Sequence, residues 1–252
     1  MKKIHRLAIA TVLSTALVGL TGPAALAASA KNAMSVSGLA LVRATSATNN
    51  WDKVLGASIH VASQKDLIAG ASLETGLYTQ TQVKSKNGTT DTSSAGVQIE
   101  VRVLVDLNSD GRGSVVDENG VTINGFDLIA APGYVVYDKR VQTLSATLGG
   151  IIQSCTDLNL DGTIDVTTEC TVTDEDIDLI LETMSAQHFN FVVPNLPVGT
   201  HRLELQARIT SSTGSMSGSS SAAALIGKGS FTVEEVRAVN SKDSAGAFTF
   251  DM

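Results

Sequence analysis

The stretch Val97-Gln-Ile99-Glu-Val101-Arg-Val103-Leu-Val105 decides the fold class. Every odd position is β-branched and most even positions are polar. That period of two describes a half-buried strand with one apolar face. A second example is His201-Arg-Leu203-Glu-Leu205-Gln-Ala207-Arg-Ile209, and a third is Phe189-Asn-Phe191-Val-Val193. Between these two, Pro194-Asn-Leu-Pro197-Val-Gly199 supplies the turn chemistry for reversing direction. Weaker strand patterns cover Ser35 to Arg43, Ser58 to Ala62, Tyr134 to Tyr137, Val141 to Leu148, Ala222 to Ile226 and Ser230 to Val236. Many short alternating strands separated by Gly, Ser, Thr and Asn predict an antiparallel β-sandwich, Ig-like or jelly-roll-like, rather than a βαβ array. Lys84 to Ala95 and Ser211 to Ser221 have almost no apolar residues to fix them to a core, so they read as mobile loops or hairpin tips.

A repeat interrupts this pattern. Asp106-Leu-Asn108-Ser-Asp110-Gly111 recurs as Asp157-Leu-Asn159-Leu-Asp161-Gly162, displaced by 51 positions. The same displacement pairs Val121-Thr122 with Val172-Thr173, Glu118 with Glu169, and Asp127-Leu-Ile129 with Asp178-Leu-Ile180. Twelve of the 24 positions from Asp106 to Ile129 match without a gap, which marks a duplication. In D-x-N-x-D-G, oxygen side chains at alternate positions can converge on one cation, and the glycine permits the sharp turn that closes them. Oxygen donors without His or Cys favour calcium over zinc or copper. The first loop offers Asp106, Asn108, Asp110, the Arg112 carbonyl, Ser114 and, at the twelfth place, Asp117. The second offers Asp157, Asn159, Asp161, the Thr163 carbonyl and Asp165, but its twelfth residue is Thr168. Glu169 or Asp176 must then close it.

These residues resemble the calcium loops of EF-hand proteins, and more closely the dockerin type, in which D-x-N-x-D-G leads into V-T-x-x-D and an apolar helix. Thr173-Asp-Glu-Asp176 followed by Ile177, Ile180, Leu181 and Met184 is similar to that exit helix, with Thr173 as its cap. The resemblance implies bound calcium, with an extracellular-type affinity of about 0.1 to 1 mM. It covers about a quarter of the chain. The copies lie far apart with strand-like sequence between them, so the dockerin partner does not carry over.

Residues 1 to 28 carry Lys2, Lys3 and Arg6, the apolar run Leu7 to Leu20, and an Ala25-Leu26-Ala27 ending. A basic head, a short apolar middle and small residues at the end describe a secretory signal peptide, leaving residues 29–252 as an exported sandwich with insertions at about 106–130 and 157–184. Cleavage takes the net charge from -7 to about -10. Cys155 and Cys170 then meet an oxidising compartment, outside the cell or in the periplasm, where a bridged pair is expected.

An acidic chain with 4% aromatic residues and no Lys or Arg cluster offers little to DNA or RNA. The exported part has three histidines, His60, His188 and His201, none in a hydrolase motif, and His201 reads as a surface residue. Trp51, the single Trp, reads as a core or rim anchor. The sequence therefore predicts a non-enzymatic, calcium-binding β-sandwich in surface structure, adhesion or assembly. Its partners would be a further copy of itself, another surface protein or a glycan. The alternatives are a calcium-dependent polysaccharide-binding accessory domain and, further off, a secreted hydrolase using an acid pair.

Overall fold

In the computed structural model, residues 32–37, 43–44 and 50–236 are described. The signal segment, residues 38–42 of the strand expected over Ser35 to Arg43, and Phe248 to Phe250, whose sequence suits either an edge strand or a frayed end, lie outside them. The strands are β1 (Asn32–Ser37), β2 (Arg43–Ala44), β3 (Asp52–Val61), β4 (Lys65–Ser85), β5 (Thr89–Asp106), β6 (Ser114–Val116) and β7 (Thr122–Asn124). They continue with β8 (Leu128–Ile129), β9 (Val135–Leu148), β10 (Ile151–Cys155), β11 (Cys170–Thr173), β12 (Glu175–Leu196), β13 (Gly199–Ser215) and β14 (Ser219–Val236). Two antiparallel sheets face each other: β1-β14-β4-β12, with β2 also on β14, and β3-β13-β5 followed by β8 and β9 along the outer side of β5. Two small ribbons, β6-β7 and β10-β11, project from this sandwich.

The odd-position residues of Val97 to Val105 point into the core, as do Leu203, Leu205, Ala207 and Ile209 of β13. From the opposite sheet come Leu67, Ala69, Ala71 and Leu73 of β4, Phe191 and Val193 of β12, and Phe231 and Val233 of β14. Toward the β4-β5 turn the interior becomes polar. Thr75, Thr79, Thr81, Ser85 and Ser93 are buried there, and β9 bridges the sheets to reach them. Thr79 donates to Gln142 (2.7 Å), Gln142 donates to Thr81 (2.6 Å), and Thr75 donates to Asp138 (2.6 Å). Hydrogen bonding keeps these buried polar groups from costing stability.

Three expectations need correction. The helix expected from Thr173 into Met184 is instead strand: β12 runs unbroken on β4 from Glu175 opposite Ser85 to Val193 opposite Leu67. Ile177, Leu179 and Leu181 fit a period of two, while Ile177, Ile180, Leu181 and Met184 fit a helical face, and pairing with β4 decides for the strand. The only helical element among the described residues is the 3-10 turn Leu107–Ser109. The segments 84–95 and 211–221 are mostly strand, with turns confined to residues 86–88 and 216–218. They are tied by Asp91, 1% exposed, whose carboxylate accepts the Lys84 (2.7 Å), Thr92 (2.8 Å) and Ser217 (3.0 Å) amides. His201 is fully buried rather than at the surface, and its Nε2 donates to the Pro197 carbonyl at 2.8 Å.

Candidate calcium loops

The two loops leave the sandwich differently. The first starts where β5 ends, at Asp106, and passes through the 3-10 turn into the β6-β7 ribbon. The second sits at the tip of the exposed β10-β11 ribbon, where Cys155 pairs with Cys170 and the two form a disulfide. Their backbones nevertheless follow one plan. Gly111 (φ 66°) and Gly162 (φ 80°) are both left-handed, and an added Cβ would meet nothing within 4 Å. Glycine is therefore required by the turn and not by packing.

Three hydrogen bonds recur in both copies. The first Asp accepts the amide of the Gly: Asp106 from Gly111 (3.2 Å), Asp157 from Gly162 (3.0 Å). The third acidic or amide position, Asp110 or Asp161, accepts the amide two residues on, from Arg112 (3.0 Å) or Thr163 (2.8 Å). The amide after the first Asp donates to an acid from further along: Leu107 to Asp127 (2.6 Å), Leu158 to Glu169 (3.0 Å). In the second loop Glu169, 8% exposed, also accepts from Asn159 (3.4 Å) and Asp165 (2.9 Å), so it underlies the whole turn.

The closing acids are thus Asp127 and Glu169. Asp117, expected at the twelfth place of the first loop, is turned elsewhere: Arg102 donates to its Oδ2 (3.3 Å), and the Asn119 (3.0 Å) and Val121 (2.9 Å) amides donate to its Oδ1. Burial pushes the Asp117 carboxyl up, but these two amides and Arg102 outweigh it and hold the group below the ordinary 3.8. Ser114 lies in β6, exposed, opposite Asn124. Asp176 lies in β12, where it accepts from Gln82 at 3.0 Å. Asp127, which the sequence reading does not place among the loop's oxygen donors, is brought to the first loop by its bond from the Leu107 amide.

The electrostatics of the loops differ. In the first, Arg202 donates to Asp106 Oδ2 at 3.1 Å, so a fixed cation already neutralises its leading carboxylate. Among the described residues, no such cation reaches Asp157. Its Oδ2 takes the Gly162 amide, and its Oδ1 is buried with no hydrogen-bond partner. Asp161 is held below the ordinary carboxylate range by the Thr163 hydroxyl and amide, and Asp165 by those of Thr167. Among the described residues no three His, Cys, Asp or Glu side chains converge in a metal-binding group. The donors in each loop are carboxylates mixed with Asn amide and backbone carbonyl oxygens.

The side chains of the β10-β11 ribbon are largely exposed, so the second loop is held by the ladder, the disulfide and the amides on Glu169 rather than by apolar packing. With its 15-residue separation, the bridge removes about 3 kcal/mol of unfolded-chain freedom. Reduction is expected to raise amide exchange across residues 157–169 while leaving exchange in β4 and β5 unchanged, as measured by hydrogen-exchange mass spectrometry.

Elsewhere, Trp51 is covered by Arg102 (4.2 Å from the ring centre) and Arg208 (4.6 Å). It anchors the rim, as read from the sequence, and presents no open stacking platform. Ser72 Oγ and His188 Nδ1 lie 2.7 Å apart, and His188 Nε2 and Asn190 Oδ1 3.0 Å. Ser72 sits on β4, which is laddered by β12 on one side and by β14 on the other. No helix of the described residues is long and apolar enough to cross a membrane, and the disulfide is compatible with an extracellular or periplasmic setting. No family model, curated protein or solved structure matches the chain.

Proposed function

We propose that this chain is an exported, non-enzymatic β-sandwich whose two D-x-N-x-D-G loops each hold one calcium ion, and that it serves in surface structure, adhesion or assembly. The observation that carries this reading is Asp157 Oδ1, a carboxylate oxygen buried without a partner inside a loop of oxygen donors. An unpaired buried charge is costly, and a hard cation would remove that cost. Asp157, Asn159, Asp161, the Thr163 carbonyl, Asp165 and Glu169 would hold the second ion. Asp106, Asn108, Asp110, the Arg112 carbonyl and Asp127 would hold the first. Calcium would brace the second loop above all, whose Leu158, Leu160, Ile164 and Val166 are exposed. The Arg202 cation on Asp106 opposes an incoming cation, so the second loop is the tighter site.

Thermal melting of chelator-stripped protein tests this. Calcium at ~100 times the dissociation constant adds ~2.7 kcal/mol for one site, enough to raise the midpoint visibly. The Asp157→Asn variant is expected to lose most of that rise. An equal rise in wild type and variant would show that calcium acts somewhere else.

A further inference from the structure

On one side of the sandwich both sheets end in strands whose outer edges carry almost no ladder among the described residues. There β12 ends one sheet and β9 ends the other. Among the described residues, the only pairing on the outer side of β12 is a single bridge from Val192 to Ala131. From Glu175 to Val193 the strand has no Lys, Arg or Pro, the residues that ordinarily guard a free edge. Its apolar side chains are instead exposed on both faces: Ile180 (53%) and Met184 (66%) outward, Leu181 (44%) inward. On the outer face of β9, Val141 is 67% exposed. A long, regular, apolar edge of this kind is a template for another strand.

Charge and geometry select the occupant. The edge of β12 is acidic, with Asp176, Asp178 and Glu182, while β9 carries exposed Lys139. Pairing β12 with its own copy about Ile180 would set Asp178 against Glu182, a like-charge contact that opposes association. The two open edges run antiparallel and level with each other: Ser185 donates to Asp138 at 3.0 Å, and Gln142 donates to the Leu179 carbonyl at 2.8 Å. A two-fold axis parallel to the strands keeps heights unchanged and exchanges the sheets. It therefore brings β12 of one copy beside β9 of the other, in antiparallel sense, at both junctions at once.

We infer that this side binds a second copy of the chain, each sheet continuing into the opposite sheet of its partner through β12-β9 pairing. In this register Glu182 of one copy lies beside Lys139 of the other, and Ile180 beside Val141. The inference does not rest on bound calcium.

Sedimentation of the exported chain over a range of concentrations, in calcium and in chelator, tests it. A closed dimer is expected in both conditions. Ile180→Lys should weaken it by about tenfold or more by placing a cation on the edge. Glu182→Lys and Lys139→Glu should each weaken it, and the double charge swap should restore it. That restoration is the deciding result should Ile180→Lys fail to fold. A chain that stays monomeric, polymers without closure, or a double swap no tighter than its single variants would overturn the inference.

Discussion

Replacing Arg102 with alanine is expected to destabilise the protein by about 3 to 5 kcal/mol, the usual cost of leaving one member of a buried ion pair alone. Both side chains of the Arg102 and Asp117 pair are 4% exposed, so water cannot take over the lost contact. Arg102 also donates to Gln206 at 3.0 Å and packs on the Trp51 ring. The substitution therefore loosens the β6-β7 ribbon, β13 and the Trp51 rim together. Urea unfolding followed by the fluorescence of this single Trp would measure it. Replacing both partners with apolar residues, Arg102→Met with Asp117→Leu, should recover most of the loss, because no buried charge then remains unpaired. A loss below about 1 kcal/mol in the single variant would mean that the pair behaves as a solvated one.

Asp91→Ala is expected to cost about 4.5 kcal/mol or more, since hydrogen bonds to a charged group each contribute about 1.5 to 3 kcal/mol and three amides lose their acceptor. The Lys84 amide lowers the Asp91 carboxyl below its ordinary 3.8, burial opposes this, and the Ser217 and Thr92 amides add to the lowering. A depressed carboxylate contributes stability that is fully present above the unfolded-state value and lost as the pH falls through the folded one. Asp91 and Asp117 both lie in this class, so stability should hold steady above about pH 5 and decline below about pH 4. Asp91→Asn should flatten that acid limb. An unchanged limb would show that Asp91 titrates alike in the folded and unfolded chain.

Residues 97–105 and 201–209 announced their strands because apolar and polar residues alternate cleanly, but the half-buried reading needs correction: the polar face is covered as well, with Glu100, Arg102, Glu204, Gln206 and Arg208 all buried. The same rule failed at both ends of the long hairpins. Thr79, Thr81, Ser85 and Ser93 are interior residues, but their side chains are polar, and periodicity read through hydropathy cannot see them. Their burial becomes favourable only once Gln142, the Leu148 amide and the Ser219 carbonyl supply partners from distant strands, which no local window contains. Segment 173–184 misled for a different reason. Its apolar spacing suits helix and strand equally, and the decision rests with β4, about 100 residues earlier in the chain.

The loops were more legible than what surrounds them. D-x-N-x-D-G fixes its own turn, so the left-handed glycines and the two Asp-to-Gly hydrogen bonds follow from local chemistry. Closure is not local. Asp127 reaches the first loop because Leu128 and Ile129 pair with β5, and Asp117 is drawn away because Arg102 projects from that same strand. The position of a carboxylate in a motif says which donors are near in sequence. The cations beside it in space decide whether it is available to an ion, and Arg102 and Arg202 both come from the sheet.

Calorimetric titration of calcium into the stripped chain, repeated for Asp106→Ala and Asp157→Ala, tests the central claim most directly. Two binding steps are expected, the tighter abolished by Asp157→Ala and the weaker by Asp106→Ala, each substitution leaving the other step in place. Isotherms that remain the same after both substitutions would contradict it.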